Sequence, residues 1–204
     1  MMMGKNLFHA GAWGLAAGLW TGLLATSPQA AAASAGAATP LHPSVKYMQA
    51  TAAELLRAQR NPSARRFADI IRRRADVHAI AMYSLGRYKT RLPARQKALY
   101  VKGVQQFMAR YFADQARKYH VKKAVIEQTP RKDGDNWLVR SKVTLDTGQS
   151  YMVTWKLHQT RFGWRVVDVN VMGFSLRFLQ KGLFYRFLQK KNGDVSALVM
   201  ALNR

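Results

Sequence analysis

The chain has 204 residues, 49% of them hydrophobic, which is enough for one domain with a packed core and excludes disorder along the whole length. Its 33 Lys and Arg against 10 Asp and Glu give a formal net charge of +23, which predicts attraction to phosphate-bearing surfaces without saying which. With no cysteine, a disulfide framework and a cysteine metal site are both excluded.

After Lys5 no charged side chain occurs until Lys46, and the run from Ala10 to Leu24 is small and apolar. It has the form of a secretory signal peptide, with small residues for cleavage between Ala30 and Ala33. It is shorter than the about 20 apolar residues a spanning helix needs, and no later segment is long enough either. The expected organisation is a signal peptide over 1–33, a flexible leader over 34–43 containing Pro40 and Pro43, and a single domain over 44–204. In a Gram-negative bacterium, export of this kind is expected to leave the mature protein free in the periplasm.

A first helix is predicted from Ser44, as N-cap, to about Arg60, with Val45, Met48, Ala52, Leu55 and Leu56 on one face. A second is predicted as one unbroken helix over 64–85, with Phe67, Ile70, Ile71, Val77, Ile80, Ala81 and Leu85 at helical spacing and Gly86 as its stop. Its arginines pair at i,i+4 as Arg65 with Asp69, Asp69 with Arg73, and Arg72 with Asp76, which reads as a largely solvated face. Pro93 opens a third helix, which runs to about Tyr119 and carries Val101, Val104, Phe107, Met108, Tyr111, Phe112 and Ala116 on a wide apolar face.

After His120 the period changes from helical to alternating. Four strands are predicted, over 121–129, 137–145, 151–159 and 164–171, joined by Asp133-Gly134, Thr147-Gly148 and Phe162-Gly163 turns into an antiparallel meander. Trp137, Val139 and Val143 share a face opposite Arg140 and Lys142, while Tyr151, Val153, Trp155 and Leu157 oppose Thr154, Lys156 and His158. In the last strand Val167, Val169 and Val171 alternate with Val166, Asp168 and Asn170, and the strand breaks at Gly173. An apolar run from Leu176 to Leu188 and a short helix over 195–202 complete an α+β fold.

Catalytic chemistry is sparse. His9, His42, His78, His120 and His158 are too scattered for a metal motif, His9 and His42 fall in the leader, and no cofactor fingerprint is present. Asp133 and Asp135 read as turn residues. Asp168, flanked by valines, needs water, a cation or a donor. It reads as fixing the neighbouring turn or an ion pair, with the alternative that it is the base of a small isomerase-like α+β cone. Tyr151, Trp155 and Lys156 have the look of a nucleic-acid stacking platform, which export argues against.

The order and spacing of several motifs resemble the MlaC-type toluene-tolerance family over most of the chain from Val45. They are Asp76-Val77-His78-Ala79-Ile80-Ala81 with Leu85-Gly86-Arg87-Tyr88, Leu92-Pro93-Ala94-Arg95-Gln96, and Gly163-Trp164-Arg165-Val166-Val167-Asp168-Val169 with Gly173-Phe174-Ser175-Leu176. Tyr185-Arg186-Phe187 and Asn192-Gly193-Asp194 near the end fit as well. Met172 departs from the acidic residue the family usually places before Gly173. The resemblance implies a periplasmic carrier, not an enzyme, that shuttles phospholipid between an outer-membrane lipoprotein complex and an inner-membrane ABC transporter complex. A related hopanoid-associated subgroup makes a triterpenoid the alternative lipid.

The corresponding physical expectation is a curved sheet of about four strands, with amphipathic helices over its apolar face and an apolar lipid cleft between them. Phe107, Met108, Tyr111, Val139, Val143, Val153, Trp155, Val169, Val171 and Phe174 are the expected acyl-chain contacts, each of which also reads as ordinary core. Arg87, Lys89 and Arg91 are the expected contacts for a headgroup, an anionic membrane surface or a membrane partner. No metal, cofactor or nucleic acid is expected, and a monomer suits a shuttle that must leave two membranes.

Overall fold

A computed structural model describes residues 40–204, so the signal peptide expected over 1–33 and most of the leader lie outside the described residues. Helix α1 (Pro43–Gln59) starts one residue before the predicted cap: Pro43 takes the first turn, and the His42 ring nitrogen accepts from the Ser44 N–H. His42 also packs against Trp137 with ring centroids 4.1 Å apart, so this part of the expected leader is fixed to the sheet.

The helix predicted over 64–85 is two helices, α2 (Ala64–Arg74) and α3 (Val77–Leu85). Apolar periodicity runs through the junction, but Ala75 is extended and the Asp76 N–H donates to the Val166 carbonyl at 2.9 Å. The Asp76 carboxylate then accepts from Ala79 N–H and caps α3. It therefore does not form the predicted pair with Arg72, and lies instead 3.0 Å from His158 Nε2. The remaining arginine pairs also differ from a simple i,i+4 ladder. Arg72 meets Asp69 one turn back, whereas Arg73 and Arg74 both reach Glu54 on α1.

A short 3-10 stretch, Gly86–Arg91, leads to the long helix α4 (Lys97–Lys118). The sheet follows: β1 (Val121–Ile126), β2 (Arg131–Asp133), β3 (Asn136–Leu145), β4 (Ser150–Thr160), β5 (Gly163–Val171) and β6 (Phe174–Ser175). Four long strands coincide with those predicted, and β2 and β6 are short additions. The predicted first strand stops at Ile126, short of Pro130, and β1 and β2 pair in turn with the two ends of β3. The sheet is antiparallel, curved and open, in the order β1-β3-β4-β5-β6. The chain ends in α5 (Leu176–Lys190) and α6 (Val195–Leu202).

One register feature was hidden in the valine run. A β-bulge opposite Lys156 and Leu157 pairs Trp155 with Val169 but Leu157 with Val166. Val166 therefore shares the inner face with Val169 rather than lying opposite it, and Val166 and Val167 are both buried. The strand bends there, which adds to the curvature.

Three separate clusters hold these elements together. Val45 and Met48 of α1 pack on Val139, Leu157 and Val166 at one end of the sheet. Phe67, Ile70 and Ile71 of α2 pack on Ala109 and Ala113 of α4. Tyr100 and Val104 of α4 pack with Phe184, Leu188, Leu198 and Leu202 of α5 and α6. Only the N-terminal part of α1 packs directly on the sheet, and a space is left between its C-terminal part and the strands.

Candidate functional site

Between the sheet and the helices lies a two-lobed apolar hollow. The first lobe has a volume of about 420 Å³ and lies between α2, α4, α5 and the bulged part of β5, lined by Ile70, Ile71, Phe107, Met108, Val167, Leu179 and Leu183 among others. The second, of about 510 Å³, lies between α1, α4 and strands β1, β3, β4 and β5, lined by Leu56, Ala116, Val143, Tyr151, Val153 and Val171 among others. Leu55, Phe67, Tyr111, Phe112, Trp155, Val169 and Leu176 line both lobes, so the two adjoin across these side chains. Each volume is in the range of ordinary small-molecule sites.

Polar groups at the hollow are few and mostly committed. Trp155 satisfies its indole N–H with Ser141 Oγ at 3.0 Å, which lets the ring lie against the apolar lining without an orphaned donor. Tyr151 borders the second lobe, and burial, with a smaller contribution from nearby Tyr119, holds its phenol above the ordinary value and so neutral. Arg74, Arg177 and Arg186 border the first lobe. Of these Arg74 is held by Glu54, and the Arg177 guanidinium lies 3.9 Å from the centre of the Tyr83 ring.

Asp168 also borders the first lobe, but its carboxylate accepts three hydrogen bonds. Oδ1 takes the Val169 N–H at 2.8 Å and the Arg177 N–H at 3.1 Å, and Oδ2 takes the Ser175 hydroxyl at 2.6 Å. Ser175 Oγ in turn accepts from Phe178 N–H as the N-cap of α5. Asp168 thereby ties β5 to the first turn of α5, a negative charge at the positive end of the helix dipole. This is the turn-fixing role among the alternatives open in the sequence.

The expected contact residues divide in two. Phe107, Met108, Tyr111, Val143, Val153, Trp155, Val169 and Val171 come together around the hollow. Val139 and Phe174 line neither lobe. Val139 is sealed beneath α1, and Phe174 on β6 is 66% exposed. Arg87, Lys89 and Arg91 are exposed and also line neither lobe, with Arg87 and Arg91 stacked on Tyr88. Reading the sequence missed α2 and α5 as walls. The signal was present in α5, whose Phe178, Leu179 and Leu183 cannot all be buried together with Gln180, Phe184 and Leu188 on a single helix face.

Among the described residues, no group of three or more His, Asp or Glu is placed to hold a metal ion, and no helix is long and apolar enough to cross a membrane. The fold and the hollow define the class: an open antiparallel sheet and helices enclosing an apolar ligand-sized space. Residues 45–204 match the family described as MlaC protein, and the chain belongs to that family. A solved structure of a phospholipid-binding protein from Ralstonia solanacearum, in complex with a phospholipid, has the same fold. Its TM-score is 0.66 at 19% identity, with 79% of this chain and 96% of that one covered. A comparison with curated proteins finds no match.

Proposed function

We propose that this protein is an exported, periplasmic phospholipid carrier that holds acyl chains in the two lobes and shuttles lipid between an outer-membrane lipoprotein complex and an inner-membrane ABC transporter complex. The observation that carries this is the pair of adjoining apolar lobes between sheet and helices. Burial of acyl methylenes contributes about 0.8 kcal/mol each, so a handful per chain gives tight but reversible binding. Two lobes joined at Leu55, Phe67, Phe112 and Trp155 suit two flexible chains. The bound phospholipid of the Ralstonia solanacearum protein, which has the same fold, supports a phospholipid ligand over a triterpenoid.

In this reading the headgroup lies at the margin of the first lobe, near Arg177 and Arg186, whose guanidinium groups pair with phosphate. Arg87, Lys89 and Arg91, outside the lobes, contact the partner complexes. Binding rather than catalysis is the function, because the one carboxylate at the hollow is occupied in holding α5.

The test is solvent extraction of protein purified without detergent, followed by mass spectrometry, and then transfer of labelled lipid between two vesicle populations. Diacyl phospholipid near one per chain, moved by the protein at a rate proportional to its concentration, is the expected result. Empty protein that also fails to take up lipid from vesicles overturns the proposal.

A further inference from the structure

We infer that the rim formed by the β5–β6 turn and the first turns of α5 docks directly on an anionic bilayer surface, bringing the opening of the hollow against the lipid. The observations are an apolar rim, a strained turn and a one-sided charge. Met172, Phe174 and Phe178 are 61% to 66% exposed, and all belong to the segment that enters α5. Met172 and Phe178 also line the second and first lobes respectively, so these exposed tips border the hollow.

The turn between β5 and β6 has only Met172 and Gly173 at its centre, with φ of 53° and 93°. A two-residue turn with positive φ at both positions favours Asn-Gly or Asp-Gly, and a long apolar side chain at the first position is strained. The strained position presents its thioether to solvent at the edge of the hollow. Nothing in the turn's own hydrogen bonding requires Met there, since Gly173 N–H is already held by Asn170.

The charge of the segment selects the partner. The first two turns of α5 carry Arg177 and Lys181, Arg186 and Lys190 follow further along, and the helix has no Asp or Glu of its own, the nearby Asp168 carboxylate being taken up by Ser175 and the Arg177 N–H. Apolar tips set among cations match the interface of an anionic bilayer, where side chains enter the acyl boundary and Lys and Arg meet phosphate. Seated this way, a lipid chain passes between bilayer and hollow without crossing water.

The inference rests on the carrier reading, and the experiment separates the two. Binding of the whole protein is measured by co-sedimentation with vesicles of phosphatidylcholine containing about a third phosphatidylglycerol, and with pure phosphatidylcholine. Selective, salt-sensitive binding to the anionic vesicles is expected. Phe174→Ser weakens it about tenfold and Lys181→Glu, in the second turn of α5, by a similar or larger factor, about fivefold per unit of charge changed. Neither residue lines the hollow, so co-purified lipid stays at the wild-type level in both variants. Phe162→Ser, at the opposite end of β5 and 70% exposed, leaves vesicle binding unchanged. Wild-type affinity in both rim variants, or an equal loss in Phe162→Ser, overturns the inference. Lipid-loaded protein that ignores anionic vesicles also overturns it and assigns the rim to a protein partner. Rim-dependent vesicle binding by a protein that carries no lipid upholds the docking surface while removing the carrier reading.

Discussion

Filling the first lobe from a position where the fold has room separates lipid binding from stability. Gly182 lies on α5 and lines that lobe, and a Cβ built there meets nothing nearer than Arg186 Nη1 at 3.9 Å. The backbone is helical, so Gly182→Phe brings no strain and recovers about 0.5 kcal/mol of helix propensity. The ring occupies space that an acyl chain otherwise fills. If it displaces about five methylenes, at about 0.8 kcal/mol each, lipid binding loses about 4 kcal/mol, close to a thousandfold. The assay is lipid-to-protein ratio after detergent-free purification, read beside a thermal melt. The expected result is a melting temperature equal to or above that of wild type, with co-purified lipid reduced to a trace. A folded variant carrying the wild-type ratio of lipid refutes the placement of hydrocarbon in this lobe.

Asp168→Asn removes the charge that anchors the first turn of α5, at a cost of about 2 kcal/mol, and lowers the melting temperature by about 4–8 °C; an unchanged melt argues against the clamp. Gly103→Ala sets a Cβ 2.8 Å from Leu202 Cβ and 2.6 Å from Asn203 Nδ2, forcing α6 off α4. The urea midpoint falls by the equivalent of about 1–3 kcal/mol, and no shift means the helices are not in such close contact. The hydrogen bond from Arg74 holds the Glu54 carboxyl below its ordinary 4.5, partial burial opposing and Arg73 adding to the effect. Because the folded-state value is the lower one, this contribution is complete above 4.5 and is lost as pH falls through the folded-state value. Melts taken through that acid range flatten in Glu54→Gln, and an unaltered acid limb rejects the assignment.

The long strands were legible because each alternates cleanly and ends in a Gly-containing turn, so local pattern and tertiary role agree. The helix break at Ala75 and Asp76 was not, since Ile71, Val77 and Ile80 keep the helical period across it. What breaks it is the Val166 carbonyl, about 90 residues away in sequence. The bulge was equally hidden, because Val166 and Val167 are the same residue type and either register satisfies an apolar face. The strand faces pointed to the wall of the hollow. They could not say that α1 seals Val139 while Val143 faces the hollow, which is a matter of how closely each part of one helix lies on the sheet. Phe174 looked like lining for the same reason, yet it follows a turn that sends it outward.

The central claim is that hydrocarbon fills the space between the concave sheet and the helices, and Trp155, which borders both lobes, reports on that space directly. Loading the protein with phospholipid brominated along its acyl chains and measuring tryptophan emission is the decisive measurement. A loss of emission that disappears in the Trp155→Phe protein is the predicted result. Stoichiometric uptake of the brominated lipid with Trp155 emission unchanged would place the chains elsewhere and contradict the account.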